Sequence, residues 1–212
     1  MNPTTRLYYV HDPMCSWCWA FAPVLAELEA RLPSHVPMER LLGGLAPDSD
    51  EAMPAPMRDY LQATWREIQR RVPGTRFDFA FWARCTPRRS TYPASRAVIA
   101  ARGQGEAFDG AMTRAIQQAY YTRALNPSED ATLIALAGEL GLDVAAFTQA
   151  LNAPSTGERL LQEIARSRAM GADSFPSLVL QHGGRRQAVP VDYQDCASML
   201  SIIQAACADR SD

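Results

Sequence analysis

Cys15, Ser16, Trp17 and Cys18 form a C-x-x-C motif that follows an apolar run, Leu7 to Val10, and precedes an amphipathic stretch of helical period. This order of strand, dithiol and helix constrains the fold more than any other feature of the chain, because it sets the first cysteine at a helix start. There the leading backbone N–H groups have no intrahelical partner, and the macrodipole places roughly half a positive charge, which favours a thiolate at Cys15. Cys15 is therefore the expected attacking sulfur. Cys18, one turn further in, is shielded and resolves the mixed disulfide by attacking back on Cys15.

The helix is supported by Phe21, Leu25, Leu28 and Leu32, which fall on one face. Pro23 interrupts it: proline has no N–H for the carbonyl of Trp19 and its ring crowds that carbonyl, so a kink is expected about two turns after Cys15. A kinked first helix behind a dithiol resembles the start of the thioredoxin fold.

A chain of 212 residues can bury about 70% of its unfolded surface, enough for a core without disulfide staples. The formal charge is −2 and no basic run stands out, which argues against nucleic acid as a partner. All 21 basic residues are arginine, so lysine Schiff-base catalysis is excluded and any anion contact falls to planar guanidinium groups. No apolar stretch reaches the roughly 18 to 20 residues of a membrane helix, and Met1 to Arg6 carry no signal-like apolar region. With Met1 as the natural start, the chain leaves no room for a signal peptide before the first strand. The expectation is a cytoplasmic protein with no membrane contact, and in a reducing compartment a C-x-x-C pair is catalytic or metal-binding more often than structural.

Val36 to Leu42 reads as a second strand ended by Gly43-Gly44, completing a β-α-β unit. From Ala46 to about Gly171 the pattern is helical. One stripe is Leu61, Trp65, Ile68 and Val72; a second is Phe108, Met112, Ile116 and Ala119; a third is Leu133, Leu136 and Leu140, closed by Gly141. Asp143 can cap a short helix carrying Phe147 and Leu151, and Ser155 with Glu158 makes a capping box for a helix carrying Leu161 and Ile164. Ser177 to Gln181, Gly183-Gly184 and Arg186 to Val189 form a β-hairpin signature, and a last helix follows from about Asp192. The fold class is α/β, with residues 1–45 and 172–212 as one unit and 46–171 as an all-helical insertion.

This order, with proline preceding the first closing strand, resembles the DsbA family of thiol:disulfide oxidoreductases over nearly the whole chain. Asp12-Pro13-Met14-Cys15-Ser16-Trp17-Cys18-Trp19 and Ser174-Phe175-Pro176-Ser177 look like its cytoplasmic FrnE-like branch, described as predicted protein-disulfide isomerases. The resemblance implies a DsbA-like thioredoxin fold and disulfide exchange without a cofactor beyond the Cys15–Cys18 redox pair. Its partners would be cysteine-containing proteins or small thiols, with glutathione as a candidate redox partner. It implies that Pro176 is a cis-proline facing the dithiol and that Phe175 offers backbone groups to a substrate strand, with Trp17 and Ser16 beside it. On base rates alone, only about 5–6% of X-Pro bonds in folded proteins are cis.

One departure matters. The family carries an acidic residue six positions before the first cysteine, thought to serve proton transfer at the buried thiol, and here that position is Tyr9. His11, titrating near neutrality, and Asp12 are candidates for the transfer; their plainer reading is a strand end followed by an Asp-Pro turn. The dipeptide Ser16-Trp17 contains no histidine to stabilise the thiolate further, which points to the reductase or isomerase direction. Trp17 and Trp19 are expected near the dithiol as apolar contacts, although Trp19 equally suits the core.

Cys196, Met199, Ile203 and Cys207 share a face of the last helix, so both thiols read as small buried hydrophobes. Cys85 lies between Trp82 and Pro87 in a stretch too polar for a regular buried element, and a redox role is not expected of it. Phe77, Phe79 and Phe81, followed by Arg84, Arg88 and Arg89, read either as an apolar lip with an anion-binding margin or, favoured, as a loop pinned to the helical block. Three other functions compete with disulfide exchange. Kappa-type glutathione transferases and hydroxychromene-carboxylate isomerases share the insertion pattern but generally place serine at the position of Cys15, and retention of both cysteines argues against them. A zinc module lacks a second paired ligand set, so no metal is expected. A holdase chaperone using the helical block could coexist with redox activity.

Overall fold

The computed structural model describes residues 5–208. Its elements run β1 (Thr5–His11), α1 (Ser16–Arg31), β2 (Met38–Leu42), α2 (Ala55–Arg71), α3 (Phe81–Arg84), α4 (Tyr92–Arg102), α5 (Ala107–Thr122), α6 (Asp130–Glu139), α7 (Val144–Leu151), α8 (Pro154–Ala169), β3 (Ser177–His182), β4 (Arg185–Val189) and α9 (Ala197–Ala208). The sheet order is β2-β1-β3-β4, with β1 parallel to β2 and antiparallel to β3, and β3 antiparallel to β4.

The apolar run of β1 is continuous because this central strand is covered on both faces. Leu7 and Tyr9 face α1 and α9, packing with Phe21, Leu28, Met199 and Ile203. Tyr8 and Val10 face the other way, toward Leu41, Val179 and Ala172. The edge strand β4 exposes Arg185, Arg186 and Gln187, charges and polarity that discourage edge-to-edge pairing. A further core lies in the helices between β2 and β3, where Trp65 is ringed by Phe77, Phe81, Trp82, Tyr120 and Tyr121 and joined by Ile99, Ile116, Leu136 and Phe147.

Several sequence expectations are corrected. β2 begins at Met38 instead of Val36, since Pro37 has no N–H to give a ladder. The Ser155/Glu158 capping box is absent: α8 starts at Pro154 with Ala153 as N-cap, the first-turn position that suits proline. Leu160, not Leu161, packs inward beside Ile164, and Leu161 stays exposed. The last helix starts at Ala197, because Asp192 first accepts the Gln194 and Asp195 N–H groups and Asp195 accepts that of Ala197, local turns that compete with helix. Asp143 does cap α7, accepting the Ala146 N–H at 3.0 Å.

Candidate active site

Cys15 is the N-cap of α1, with extended backbone (φ −80°, ψ 118°), and its carbonyl accepts the Trp19 N–H at 3.1 Å. Its Sγ donates to the Phe175 carbonyl oxygen at 3.4 Å. The Phe175–Pro176 peptide bond is cis. Cys18 lies one turn into α1, fully buried and in contact with the Cys15 thiol; both thiols are free. Burial, first, pushes the Cys18 thiol well above the ordinary cysteine range, and the neighbouring Cys15 and the Asp12 charge add to this; the Asp12 backbone N–H opposes it in part.

The segment opposite the dithiol is shaped by Gly43. A Cβ on Gly43 would lie 1.9 Å from Cε1 of Phe175, so the Phe175 ring occupies the space that the missing side chain leaves. The Gly43 N–H donates to the His11 carbonyl at 2.7 Å, fixing this loop to the end of β1. Read from sequence, Gly43-Gly44 only ends a strand; the cavity for Phe175 exists only when residues 132 positions apart meet.

His11 does not titrate near neutrality. It is fully buried, stacks parallel on Tyr9 with ring centroids 4.7 Å apart, and neither ring nitrogen has a hydrogen-bond partner. Burial, aided by the Arg40 and Arg102 charges, lowers its pKa from 6.5 to about 3. Asp12 is also fully buried, but fully engaged: its carboxylate accepts from Met14 N–H at 2.8 Å, Leu45 N–H at 2.8 Å and the Thr91 hydroxyl at 2.6 Å. Burial raises its pKa and those three hydrogen bonds work the other way.

Three tyrosines surround the dithiol, and the sequence pointed to Tyr9 alone; Tyr121 and Tyr193 come to it only through the fold. Tyr9 lies against Cys18 at the position of the family's acid, and burial raises its phenol well above the usual range. Tyr121 donates to the Met14 carbonyl at 2.7 Å and stacks on Trp19, whose indole N–H donates to the Arg76 carbonyl at 3.0 Å. Tyr193, raised by burial and then by the nearby sulfurs, meets Trp17 edge-on at 5.3 Å. Trp17 also lies under the Arg71 guanidinium and, with Tyr193, Val72, Pro190, Val191 and Asp192, lines a cleft of about 380 Å³. Ser16 is buried at the first position of α1.

The remaining candidates sit elsewhere. Cys85 donates its thiol to the Ala124 carbonyl at 3.3 Å. Cys196 is buried beside Arg31 and Glu27, and Cys207 is half-buried. Phe77 and Phe81 are core residues against Trp65, and Arg88 pairs with Asp50 and Glu129. Among the described residues, one group of potential metal ligands comes together, Glu27, Asp195 and Cys196, and it excludes the dithiol. No helix of the described residues is long and apolar enough to cross a membrane.

The family model described as Thioredoxin matches residues 8–202. The chain belongs to the thioredoxin family. Its form of that fold is DsbA-like, a mixed sheet carrying a large helical insertion. It is similar to the crystal structure of a candidate protein disulfide isomerase from Nitrosomonas europaea, at 25% identity, TM-score 0.83 and 97% coverage of each chain. The fold is shared by the cytosolic disulfide reductase DsbM from Pseudomonas aeruginosa, at 24% identity, TM-score 0.73 and coverage of 94% and 95%, a protein also solved with glutathione. Curated relatives are ClpXP adapter proteins SpxH. The one from Halalkalibacterium halodurans is 27% identical over 178 residues, 82% of this chain and 58% of the relative; the one from Bacillus subtilis is 26% identical over 193 residues, 89% and 63%. This thioredoxin-family chain thus spans about three-fifths of the adapters' length.

Proposed function

We propose that the protein is a thiol:disulfide oxidoreductase that exchanges disulfides in protein or small thiol substrates through Cys15 and Cys18, working in the reductase or isomerase direction in the cytoplasm. The observation that carries this reading is the placement of the Cys15 sulfur at the N-cap of α1, against the Phe175 carbonyl, with Cys18 buried behind it. Helix α1 supplies unpaired N–H groups and its dipole to a sulfur anion. The Phe175 backbone offers an extended substrate segment a place to pair while its cysteine meets Cys15.

In the reductive direction the Cys15 thiolate attacks a substrate disulfide, forming a mixed disulfide and releasing one substrate thiolate, which takes a proton. Cys18 then loses its proton and attacks Cys15; the Cys15–Cys18 bond forms and the second substrate sulfur leaves. Two electrons have passed to the substrate. Two glutathione thiols can return the pair to the dithiol with formation of glutathione disulfide, a role in keeping with the glutathione-bound neighbour.

The test is reduction of hydroxyethyl disulfide and of insulin, with the Cys15/Cys18 equilibrium measured against glutathione. Cys15→Ser is expected to abolish turnover and Cys18→Ser to accumulate the mixed disulfide; a potential near the roughly −270 mV of thioredoxin marks a reductase. Turnover that survives Cys15→Ser refutes the proposal. The adapter role named for the curated relatives is a second reading, and protease-adapter binding that persists in Cys15→Ser without any disulfide exchange by the wild type would favour it.

A further inference from the structure

The cleft beside the dithiol is walled by both parts of the fold. Arg71 and Val72 come from the end of α2, Pro190, Asp192 and Tyr193 from the segment between β4 and α9, and the half-buried Trp17 from the C-x-x-C motif itself. A space of about 380 Å³ admits a substrate side chain together with the backbone that carries it. Two charged residues line it, and they are not equivalent. Asp192 serves its own turn, its Oδ1 accepting the Gln194 and Asp195 N–H groups at 2.8 and 3.3 Å. Arg71 is presented to the cleft: its guanidinium carbon lies 5.9 Å from the centre of the Trp17 ring, and the main chain beneath it is fixed, since the Arg71 carbonyl accepts the Gln194 side-chain N–H at 2.9 Å. The ionic partner of Arg71 is Glu67, one turn earlier, at 2.9 Å from Nη2, with the two side chains 68% and 38% exposed. An ion pair that open to water contributes little and is readily exchanged for another. Among the described residues the guanidinium has no other ionic partner.

We propose that Arg71 is a specificity-determining residue of the exchange site, which reads a carboxylate on the substrate: the segment entering the cleft is a polypeptide with an aspartate or glutamate beside the reacting cysteine. This rests on the exchange reading above and names the substrate class on which that chemistry acts. The methylenes of the acid lie along the Trp17 and Tyr193 rings, and its two oxygens take the guanidinium fork in place of Glu67, which turns to water. The whole chain carries a formal charge of −2, so bulk attraction does not bring an acidic partner; the local cation does. One carboxylate–guanidinium pair in a half-enclosed cleft supports a preference of about fivefold, the upper end of what exposed pairs give.

The test uses three octapeptides, each supplied as the symmetrical disulfide of a single-cysteine sequence. The first has Glu next to the cysteine, the second Gln in its place, and the third Gln there with the Glu moved to the far end. The pre-reduced protein reduces each in single turnovers at neutral pH, low salt and subsaturating peptide; two electrons pass from Cys15 and Cys18 to the peptide disulfide, leaving the protein disulfide and two peptide thiols. The wild type reduces the first peptide about fivefold faster than either of the others, and the advantage shrinks in about 0.5 M salt. In Arg71→Gln the ratio falls to about one, and Arg71→Lys, which restores the charge without the fork, recovers part of it. In Asp192→Asn, whose amide oxygen still accepts the two N–H groups, the ratio is at least that of the wild type.

Equal rates for the Glu and Gln peptides in the wild type, a ratio that survives Arg71→Gln, or a lower ratio in Asp192→Asn overturns the proposal. So does an advantage shared by the peptide with the remote Glu, which is long-range attraction without a site. A defect of Arg71→Gln confined to oxidised glutathione overturns it as well, and makes the cleft a site for small thiols. Failure of the exchange reading is recognised separately, because the wild type then reduces none of the three peptides and this inference falls with it.

Discussion

Gly43→Ala tests whether the seat of Phe175 is as tight as the geometry indicates. The added Cβ would lie 1.9, 2.2 and 2.8 Å from three atoms of the Phe175 ring, where ordinary contact begins at 3.4 Å, so the ring or the Gly43 backbone must give by about 1.5 Å. Gly43 is itself tied to His11 through its N–H, so its backbone does not yield freely. Overpacking of this kind costs about 1–3 kcal/mol. For a domain of this size each kcal/mol lowers Tm by about 2–4 °C, giving a drop of about 2–12 °C. Because the Phe175 carbonyl accepts from the Cys15 thiol, the same displacement should slow mixed-disulfide formation. The assays are calorimetry and the single-turnover rate with hydroxyethyl disulfide. A Tm within 1 °C of wild type together with an unchanged rate refutes the reasoning, since it means the Phe175 ring is free to leave at no cost.

His11 stays neutral in the folded protein until pH falls to about 3, whereas an unfolded histidine protonates near 6.5. The unfolded state therefore binds the extra proton between these values, so stability is lost on acidification at up to about 1.4 kcal/mol per pH unit, and urea melts of His11→Phe should show a flatter acid limb. Glu163→Ala leaves the Leu42 N–H without its acceptor and strips Arg102 of one of two carboxylates, and chemical denaturation should show a loss of about 2–4 kcal/mol. Gly171 ends α8 at φ +74°, with the Ala172 N–H closing on Ser167, so Gly171→Ala should cost about 1 kcal/mol of left-handed strain; Ala124 occupies the same region at φ +51°, and Ala124→Gly should recover part of a similar cost.

The chain announces its local chemistry. An apolar run, two cysteines one turn apart and a periodic stretch suffice to place Cys15 at a helix start and Cys18 behind it, because both follow from bonds between near neighbours. The hairpin from Ser177 to Val189 is legible for the same reason, with Gly183-Gly184 between alternating strands. Helix α4 is not, and the cause is physical: Ala94, Ala97, Val98, Ile99, Ala100 and Ala101 bury it on all sides, so it has no polar face to give a period. The Ser155/Glu158 motif misled because Pro154 starts the helix earlier and makes a side-chain cap unnecessary.

Sequence by itself determined the order of the strands around one long helical block, the paired sulfurs and the absence of lysine chemistry. Only the tertiary structure decided what surrounds the sulfurs: that Leu45 and Thr91 close on the Asp12 carboxylate, that Gly43 makes room for Phe175, that Tyr121 and Tyr193 wall the dithiol, and that His11 is sealed and neutral. Each of these depends on burial or on contact between residues tens of positions apart. A side chain's charge state and partners are set by the dielectric and the donors around it, and those come into being only when the chain has packed.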